Sequence, residues 1–596
     1  MRHLIVNDDV KIIKCEQYLF VNQLMSDKVM MHNRKIDCSV IKNPWLDKER
    51  YQKAHDYIAE FKNKVLSELV VQLNKNYNIE FDYNQWNMLI GIWLTDILFL
   101  IYDHYTRITS INEEFDLVIN KINVQMQKTI SESISCMVCD DNYNAFLYSI
   151  ICKELGVKAH CKENKNIFKK INKVCYYMQS KYGRRILIDR IMKKQKKSVA
   201  VTSTQFNNKV KEDTEVVVIK GRFPAQLEKD IESEFTNEVV FFSDSDFEDI
   251  EKQIICSNQT CHHINIDLNN ITLNNKYEEI AIKIITNMIP KELMMENFMT
   301  IYKKAQDITQ RWKIRKIYSS AFVGMDFLAS MCACFEYKKN VEIVDIQHSA
   351  VYNLNNSLAY HESLVFNDFL TWGWKEDEKK SNCNIKQFYI NRIVHPLNMD
   401  CFKASTRILY ATNPIEKYEI GRGLICDNYE KKHFQFINEL DEFEKTQIVV
   451  RLFTDDINST IMHKYTQSYK NIKLEDVREI KFYDSLACSK MLICDSFGST
   501  HIESMIWNHP VMFFNGIEMP IKNRQVEELL NELKEVYIYA DSPKELIDNY
   551  RKIENIDDWW NSNSVQNAIK KYLHICANGY DEDLKNIWIN ELLKSN

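Results

Sequence analysis

The most regular pattern of apolar and polar positions lies near the start of the chain, between residues 47 and 76. Apolar side chains recur there every three or four positions, which is the spacing of one face of an amphipathic helix. They are Ala54, Ile58, Phe61, Val65, Leu69 and Leu73. Two more helices are predicted at about 84–106 and 111–134, so residues 45–195 are expected to form a mainly helical region.

The pattern changes after Glu215, where short apolar runs of strand length begin to alternate with helical segments. The predicted strands of the first series are Val216–Ile219, Val239–Phe242, Lys316–Ser320 and Val341–Ile346, with helices at 224–234, 275–311 and 322–337. Those of the second series are Arg407–Ala411, Gln447–Phe453, Met491–Cys494, Val511–Phe514 and Val536–Tyr539. Such alternation is typical of βαβ units, whose strands form a parallel sheet.

The two series predict a fold of the α/β class, with two Rossmann-like domains facing a cleft and a large helical N-terminal elaboration. We expect residues 1–400 to form the N-terminal domain, which includes the helical region 45–195. Residues 401–575 are expected to form the C-terminal domain, and residues 576–596 a final helix that packs back on the first domain. The connection near 388–405 is the expected hinge.

Composition excludes several classes of protein. With 596 residues the chain is too long for one core. A formal net charge of −6 and a pI near 6.2 argue against a nucleic-acid-binding protein, which would carry a basic excess. The first residues lack an apolar core as long as that of a secretory signal, and the apolar stretch Leu89–Tyr102 is too short to span a bilayer. We therefore expect a cytoplasmic protein without a transmembrane segment, with peripheral association at the inner face of the membrane left open.

The stretch from Met491 to Phe514 carries the strongest functional signal. It predicts a buried strand at 491–494, a loop of small residues, a helix that opens at Ser499-Thr500, and a second strand starting at Pro510. A helix N-terminus offers free backbone N–H groups and the positive end of the helix dipole, both of which suit a phosphate. An ordinary Ser/Thr helix cap explains the same residues.

Polar residues also end other predicted strands. In open α/β sheets, ligands bind beyond the carboxyl ends of the strands. His348 follows the strand at 341–346, Arg451 lies at the end of the strand at 447–453, and Asp495 follows the strand at 491–494. Each residue alone has an ordinary structural explanation, but together they indicate a cleft that holds a nucleotide-activated substrate.

Several catalytic motifs are missing from the sequence. There is no GxGxxG after a strand, no GxxxxGK[ST] loop, no GxSxG elbow and no HExxH, which disfavours dehydrogenases, P-loop NTPases, α/β-hydrolases and zincins. Neither Cys136-Met-Val-Cys139 nor the group Cys256, Cys261, His262 and His263 has the two well-spaced ligand pairs of a structural zinc site. We expect no metal and no other cofactor.

A set of motifs, in order along most of the chain, resembles a family of transferases from bacterial surface-carbohydrate loci, often located beside genes for nonulosonic (sialic-acid-like) sugars. The motifs are Asn43-Pro-Trp45, Trp86 with Gly91-Ile-Trp93, Tyr102-Asp103 with Tyr105, Gln347-His348, Leu370-Thr-Trp-Gly-Trp374, Arg451-Leu-Phe, Cys494-Asp495 with Ser499-Thr500, Glu503, Asn508 and Pro510, Trp559-Trp560-Asn561 with Val565-Gln566, and Trp588. The resemblance implies the GT-B glycosyltransferase fold. The paired hydroxyls at 499–500 are similar to the Ser-Ser/Thr motif of bacterial sialyltransferases, which contacts the phosphate of the CMP donor.

The resemblance implies a glycosyltransferase that moves a sugar, as first choice a nonulosonic acid from a CMP-activated donor, onto a surface-polysaccharide or glycoconjugate acceptor such as capsule, O-antigen or a lipid-linked glycan. The nucleotide-sugar would be a substrate of residues 401–575, residues 1–400 would hold the acceptor, and no metal would take part. Five residues are the expected donor-binding set: Arg451, Asp495, Ser499, Thr500 and Glu503.

The acceptor hydroxyl needs a general base. His348 is the first choice because it ends a strand of the opposite domain and histidine titrates near neutral pH. The pair His361-Glu362 is the second choice. The loop after Gln347-His348 is rich in glycine in the family but begins with Ser349 here, so two alternatives stay open: a non-catalytic carbohydrate- or nucleotide-binding protein, and a GT-B epimerase acting on a UDP-sugar.

Overall fold

The structure is a computed structural model, and it describes most of the chain. The described residues are 2–6, 17–32, 37–120, 127, 129–162, 215–220, 223, 225–235, 239–241, 264–311, 313–320, 324, 326–355, 366–375, 383–391, 405–413, 416–453, 460–477 and 479–593. Most of the expected hinge near 388–405, the pair His361-Glu362 and the cluster Cys256–His263 lie outside them.

The N-terminal unit contains a parallel sheet of five strands in the order β3-β2-β1-β4-β5. Its strands are β1 (Arg2–Ile5), β2 (Gln17–Phe20), β3 (Asp37–Val40), β4 (Phe115–Asn120) and β5 (Ala159–Lys162). Its helices are α1 (Gln23–His32), α2 (Lys48–Tyr77), α3 (Tyr83–Thr109), α4 (Ile130–Cys139) and α5 (Asp141–Glu154), with a 3-10 turn at Pro44–Leu46.

This sheet corrects the expectation that the N-terminal region is mainly helical. The two long helices lie close to their predicted positions, and Asp82 caps α3 with a reciprocal capping box to Gln85. The third predicted helix, at 111–134, is wrong, because β4 occupies residues 115–120 and the next helix, α4, begins only at Ile130. The run Leu117-Val118-Ile119 is buried on both faces of the sheet, and an apolar run of that length does not distinguish a strand from a helix.

The middle unit holds a parallel sheet of six strands in the order β11-β10-β9-β8-β6-β7. Its strands are β6 (Glu215–Lys220), β7 (Val239–Phe241), β8 (Lys313–Ser319), β9 (Glu342–Ile346), β10 (Asp368–Thr371) and β11 (Asn384–Gln387). Its helices are α6 (Ala225–Glu234), α7 (Lys276–Asn287), α8 (Met295–Arg311), α9 (Phe327–Tyr337) and α10 (Val351–Leu354), with a 3-10 turn at Lys291–Leu293. The single helix predicted at 275–311 is two helices, because Pro290 interrupts the pattern.

The C-terminal unit holds the second six-stranded parallel sheet, in the order β14-β13-β12-β15-β16-β17. Its strands are β12 (Ile408–Ala411), β13 (Ile448–Arg451), β14 (Lys473–Leu474), β15 (Met491–Cys494), β16 (Val511–Phe514) and β17 (Tyr539–Ala540). Its helices are α11 (Tyr429–Glu439), α12 (Glu442–Gln447), α13 (Thr460–Ser468), α14 (Phe482–Ala487), α15 (Ser499–Ile506), α16 (Arg524–Glu535), α17 (Pro543–Tyr550), α18 (Ile556–Trp560) and α19 (Asn563–Cys576), followed by α20 (Leu584–Leu593). In chain order the strands run 3-2-1-4-5-6, which is the Rossmann arrangement.

The two six-stranded parallel sheets confirm the predicted pair of Rossmann-like units. Helix α3 extends beyond the predicted apolar stretch Leu89–Tyr102 to 27 residues, so the expectation that it is too short to cross a membrane is wrong. However, 89% of its most apolar window is buried inside the protein. It packs on α2 and on α9 of the middle unit, where the Gln85 side chain donates to the Cys334 carbonyl at 2.8 Å. The last helix, α20, lies against the middle unit, and the Trp588 Nε1–H donates to the Ile390 carbonyl at 3.2 Å.

Candidate functional site

The candidate site lies at the N-terminus of α15, where the chain leaves β15. Strand, loop and helix have the bounds that the sequence pattern predicts. Gly498 occupies the N-cap position in an extended conformation, with φ −120° and ψ 174°, and it has no side chain with which to cap the helix. Ser499 and Thr500 follow and are half-buried. The first turn therefore presents backbone N–H groups and two hydroxyls together, and we call this feature the cradle.

The cradle lies at the point where the strand order of the C-terminal sheet reverses, between β12 and β15. Open α/β sheets bind their ligands at such a crevice. Asn413 follows β12, and its side chain lies so close to the cradle that a Cβ built on Gly498 would be 2.6 Å from the Asn413 Oδ1 atom. The sequence analysis missed Asn413. Its place two residues after the end of the first strand of the series was the available signal.

Asp495 lies at the base of the cradle, where its Oδ1 atom accepts from the Asn413 side chain at 3.5 Å and its Oδ2 atom points into the unit. The Tyr429 hydroxyl donates to Asp495 Oδ2 at 2.6 Å, and the Tyr410 hydroxyl donates to the same oxygen at 3.3 Å. Burial and the charge of Asp495 raise the pKa of Tyr410, so this hydroxyl stays a donor. Asp495 is 1% exposed, and these hydrogen bonds fix the end of β15. A contact between Asp495 and the donor stays a prediction.

His501 anchors the first turn of α15 from behind. Its ring is fully buried, stacks on Phe513 with centroids 4.5 Å apart, and places Nε2 3.0 Å from the hydroxyl of Tyr572 in α19. Burial lowers the pKa of His501 to about 3, so the imidazole is neutral at physiological pH. The cradle therefore gains its attraction for anions from dipoles and hydroxyls, not from a charge on His501.

Arg451 is not brought to the cradle. Its guanidinium forms an ion pair with Glu475 and donates to the Ile480 carbonyl at 3.0 Å. Arg451 and Cys494 are both in register with Ala411, on opposite sides of β12. Strand β12 lies between Arg451 and β15, so the two backbones are two strand spacings apart, about 10 Å.

Glu503 lies one turn into α15 and is 6% exposed, so it is buried beneath the cradle. A contact between Glu503 and a ribose stays a prediction.

The loop that carries His348 reaches the cradle from the middle unit. His348 follows β9, is half-buried, and has its Nδ1 atom 3.3 Å from the Tyr352 hydroxyl. Two residues later, the Ala350 N–H donates to Ser499 Oγ at 3.4 Å. The loop that carries the predicted base and the helix that carries the predicted phosphate site are therefore in direct contact.

Gln347 holds this loop in place. Its side-chain oxygen accepts from the Trp372 N–H at 2.9 Å and from the Trp374 Nε1–H at 2.8 Å, and its Nε2–H donates to Asn353 Oδ1 at 2.6 Å. Both tryptophans are completely buried. They pack in the core. Gly373 between them has φ +120°, and a Cβ there would lie 2.8 Å from the Ile575 carbonyl oxygen, so this turn requires glycine.

Within the part of the chain that the structure describes, no group of three or more His, Cys, Asp or Glu side chains could hold a metal ion. Cys136 is buried in α4.

Comparison with known proteins identifies the family of the chain. A model of the LIC12162 family transferases matches residues 3–592. No curated protein sequence matches.

Three solved structures show a slight likeness. The wall teichoic acid polymerase TagF is 13% identical, with 65% of this chain and 91% of that chain covered and a TM-score of 0.30. MurG of Acinetobacter baumannii is 10% identical, with 64% of this chain and 99% of that chain covered and a TM-score of 0.32. The spinosyn rhamnosyltransferase SpnG is 9% identical, with 61% of this chain and 96% of that chain covered and a TM-score of 0.29. At these scores the likeness carries no conclusion about fold or activity, which rest on the sheet topology and the family match.

Proposed function

The chain belongs to the LIC12162 family of transferases, and from this premise we propose that it is a glycosyltransferase that uses a nucleotide-activated sugar. The observation that carries the proposal is the contact between the cradle and the His348 loop at the switch point of the C-terminal sheet. Our first choice of donor is a CMP-activated nonulosonic acid, and our first choice of acceptor is a surface polysaccharide or a lipid-linked glycan.

The chemistry of a CMP-sugar suits the cradle. When the glycosidic bond breaks, the phosphate of CMP takes the bonding electron pair and its negative charge grows. Donors aimed at that charge stabilise the transition state more than the ground state, by about 3 kcal/mol for a well-placed group. In the proposal, the hydroxyls of Ser499 and Thr500 and the N–H groups of the first turn supply these donors, and no metal is needed.

His348 acts as the base in this proposal. Its ring accepts the proton of the acceptor hydroxyl while the acceptor oxygen bonds to the anomeric carbon and CMP departs. Tyr352, whose hydroxyl is 3.3 Å from Nδ1, would hold the ring orientation. The residues up to about 400 would then carry the acceptor and residues 401–575 the donor, in a cytoplasmic enzyme that reaches its acceptor at the inner face of the membrane.

The purified chain tests the proposal with a panel of CMP-, UDP- and GDP-sugars, by measuring saturation binding and slow donor hydrolysis. We expect one nucleotide class to bind, and its sugar to be released slowly without an acceptor. His348→Ala should retain binding and lose turnover. Binding without release would favour a carbohydrate- or nucleotide-binding protein, and conversion of a UDP-sugar into its epimer would identify an epimerase; either result contradicts the proposal.

A further inference from the structure

The segment Glu419–Gly423 lies where the three units of the molecule meet. It belongs to the connection between β12 and α11. A Cβ on Gly421 would lie 3.0 Å from the ring of Phe99 in α3, so the two pack closely. The Asn355 side chain of the middle unit donates to the Arg422 carbonyl at 2.8 Å, and the Arg422 guanidinium pairs with Asp96 of α3 at 3.1 Å.

The carboxyl group of Glu419 organises this segment. Its Oε1 atom accepts from the N–H groups of Gly421 at 2.9 Å and Gly423 at 3.2 Å, and the hydroxyl of Tyr51 in α2 is 3.4 Å away. The glycines have φ of +90° and +69°, so the turn around the carboxyl group depends on them. Its Oε2 atom is buried and has no hydrogen-bond partner in the described part of the chain.

The charges around Glu419 oppose its ionisation. Glu416 lies three residues before Glu419, and Asp103 faces Glu419 from α3. The one cation of the segment, Arg422, is paired with Asp96 and lies 3.7 Å from Glu416. Burial, followed by repulsion from Glu416, raises the pKa of Glu419 from 4.5 to about 8. Tyr51, from α2, stays protonated because burial raises its pKa. A charged group with an unpaired buried oxygen costs more than a neutral acid at the same place.

The segment connects both sides of the candidate site. Glu419 follows Asn413 by six residues, and Asn355 follows His348 by seven. Movement of the segment would therefore displace the loop beside the cradle and the loop that carries the predicted base.

We propose that Glu419 is a positioning residue that joins the three units as a neutral carboxylic acid, and that its ionisation in mildly alkaline solution loosens the junction and weakens nucleotide binding at the cradle. The binding part rests on the proposed function; the effect on the junction does not.

Urea unfolding between pH 5 and 9.5 tests the junction, with the wild type, Glu419→Gln and Glu416→Gln. The pKa of Glu419 is higher in the folded protein than in the unfolded chain. The stabilisation that the neutral acid gives the folded state is therefore fully present at pH 4.5 and below, and it is lost as the pH rises toward 8. As the pH rises to about 8, we expect the urea midpoint of the wild type to fall relative to the midpoint of Glu419→Gln. Above that pH the difference between the two midpoints should stay constant. Glu416→Gln removes a charge that repels the Glu419 carboxylate, so it should lower the pKa of Glu419. The fall of the urea midpoint should then end at a lower pH. Parallel wild-type and Glu419→Gln profiles throughout, or an unshifted Glu416→Gln profile, would overturn the proposal.

Calorimetric titration with CMP tests the link to the site. If only the neutral form binds, affinity should fall about tenfold between pH 7 and 9 in the wild type and stay level in Glu419→Gln. An equal fall in both proteins would overturn the link. If CMP fails to bind the wild type at pH 7, the proposed donor is contradicted, while the unfolding profiles still decide the role of Glu419.

Discussion

Replacing Gly498 with alanine places a methyl group between the cradle and Asn413. The added Cβ would lie 2.6 Å from Asn413 Oδ1, whereas ordinary contacts begin at 3.4 Å, so one side must move by about 0.8 Å. Because Asn413 Oδ1 is the end of a side chain that can turn aside, the overlap costs about 1 kcal/mol, the low end of overpacking. An alanine N-cap is worse than glycine by about 0.5–1 kcal/mol. We therefore expect Gly498→Ala to lose about 1.5–2 kcal/mol of unfolding free energy.

The added methyl group and the displaced Asn413 side chain would crowd the donors of the first turn of α15. We expect CMP affinity to fall about 10- to 100-fold, which corresponds to about 1.4–2.8 kcal/mol. Urea unfolding and calorimetry would be measured for Gly498→Ala, Asn413→Ala and the double variant. Asn413→Ala removes the clashing oxygen and also the Asn413 hydrogen bond to Asp495 Oδ1 at 3.5 Å. Relative to Asn413→Ala, the double variant should therefore lose only the capping cost, without the overpacking cost.

Two results would refute this reasoning. If the stability losses of the single variants simply add in the double variant, Asn413 does not press on Gly498. If Gly498→Ala binds CMP as the wild type does while its stability falls as expected, the N-terminus of α15 is not where the nucleotide lies.

Two further predictions concern the supports of the cradle. Tyr429→Phe removes a 2.6 Å hydrogen bond to the buried Asp495 carboxylate and should lower the free energy of unfolding by about 1.5–3 kcal/mol, measured with urea. Tyr410→Phe removes a longer bond, of 3.3 Å, and should cost less. Equal losses would contradict the conclusion that Tyr429 is the main partner of Asp495. Burial lowers the pKa of His501 from 6.5 to about 3. The stabilisation that the neutral ring gives the folded state is therefore fully present above pH 6.5. As the pH falls toward 3, the free energy of unfolding should drop by up to about 1.4 kcal/mol per pH unit. His501→Leu should lack this slope, and an unchanged slope would show that another group titrates.

The part of the site that the sequence predicts is local in the chain. Met491–Cys494 is a continuous apolar run, small residues follow, and the next helix and strand come within twenty residues. Their order alone places Ser499 and Thr500 at a helix N-terminus.

The parts that the sequence does not predict depend on distant partners. Arg451 ends its strand as expected, but Glu475, 24 residues later, takes its guanidinium. The sequence also does not show that Gln347, which follows another strand, holds both tryptophans of the Trp-Gly-Trp turn. The N-terminal sheet was missed because its first three strands have four residues each, too few to show a period of two.

The most direct test of the account is whether the hydroxyls of the cradle bind a nucleotide phosphate. Calorimetry with CMP and UDP would compare the wild type with the double variant Ser499→Ala/Thr500→Ala, and with Ser504→Ala as a matched control. Ser504 lies on the same helix, and its hydroxyl donates to the Thr500 carbonyl at 3.0 Å instead of facing the N-terminus. Loss of two hydrogen bonds to a charged group predicts at least tenfold weaker binding for the double variant and wild-type affinity for the control. Unchanged binding in the double variant would contradict the phosphate site.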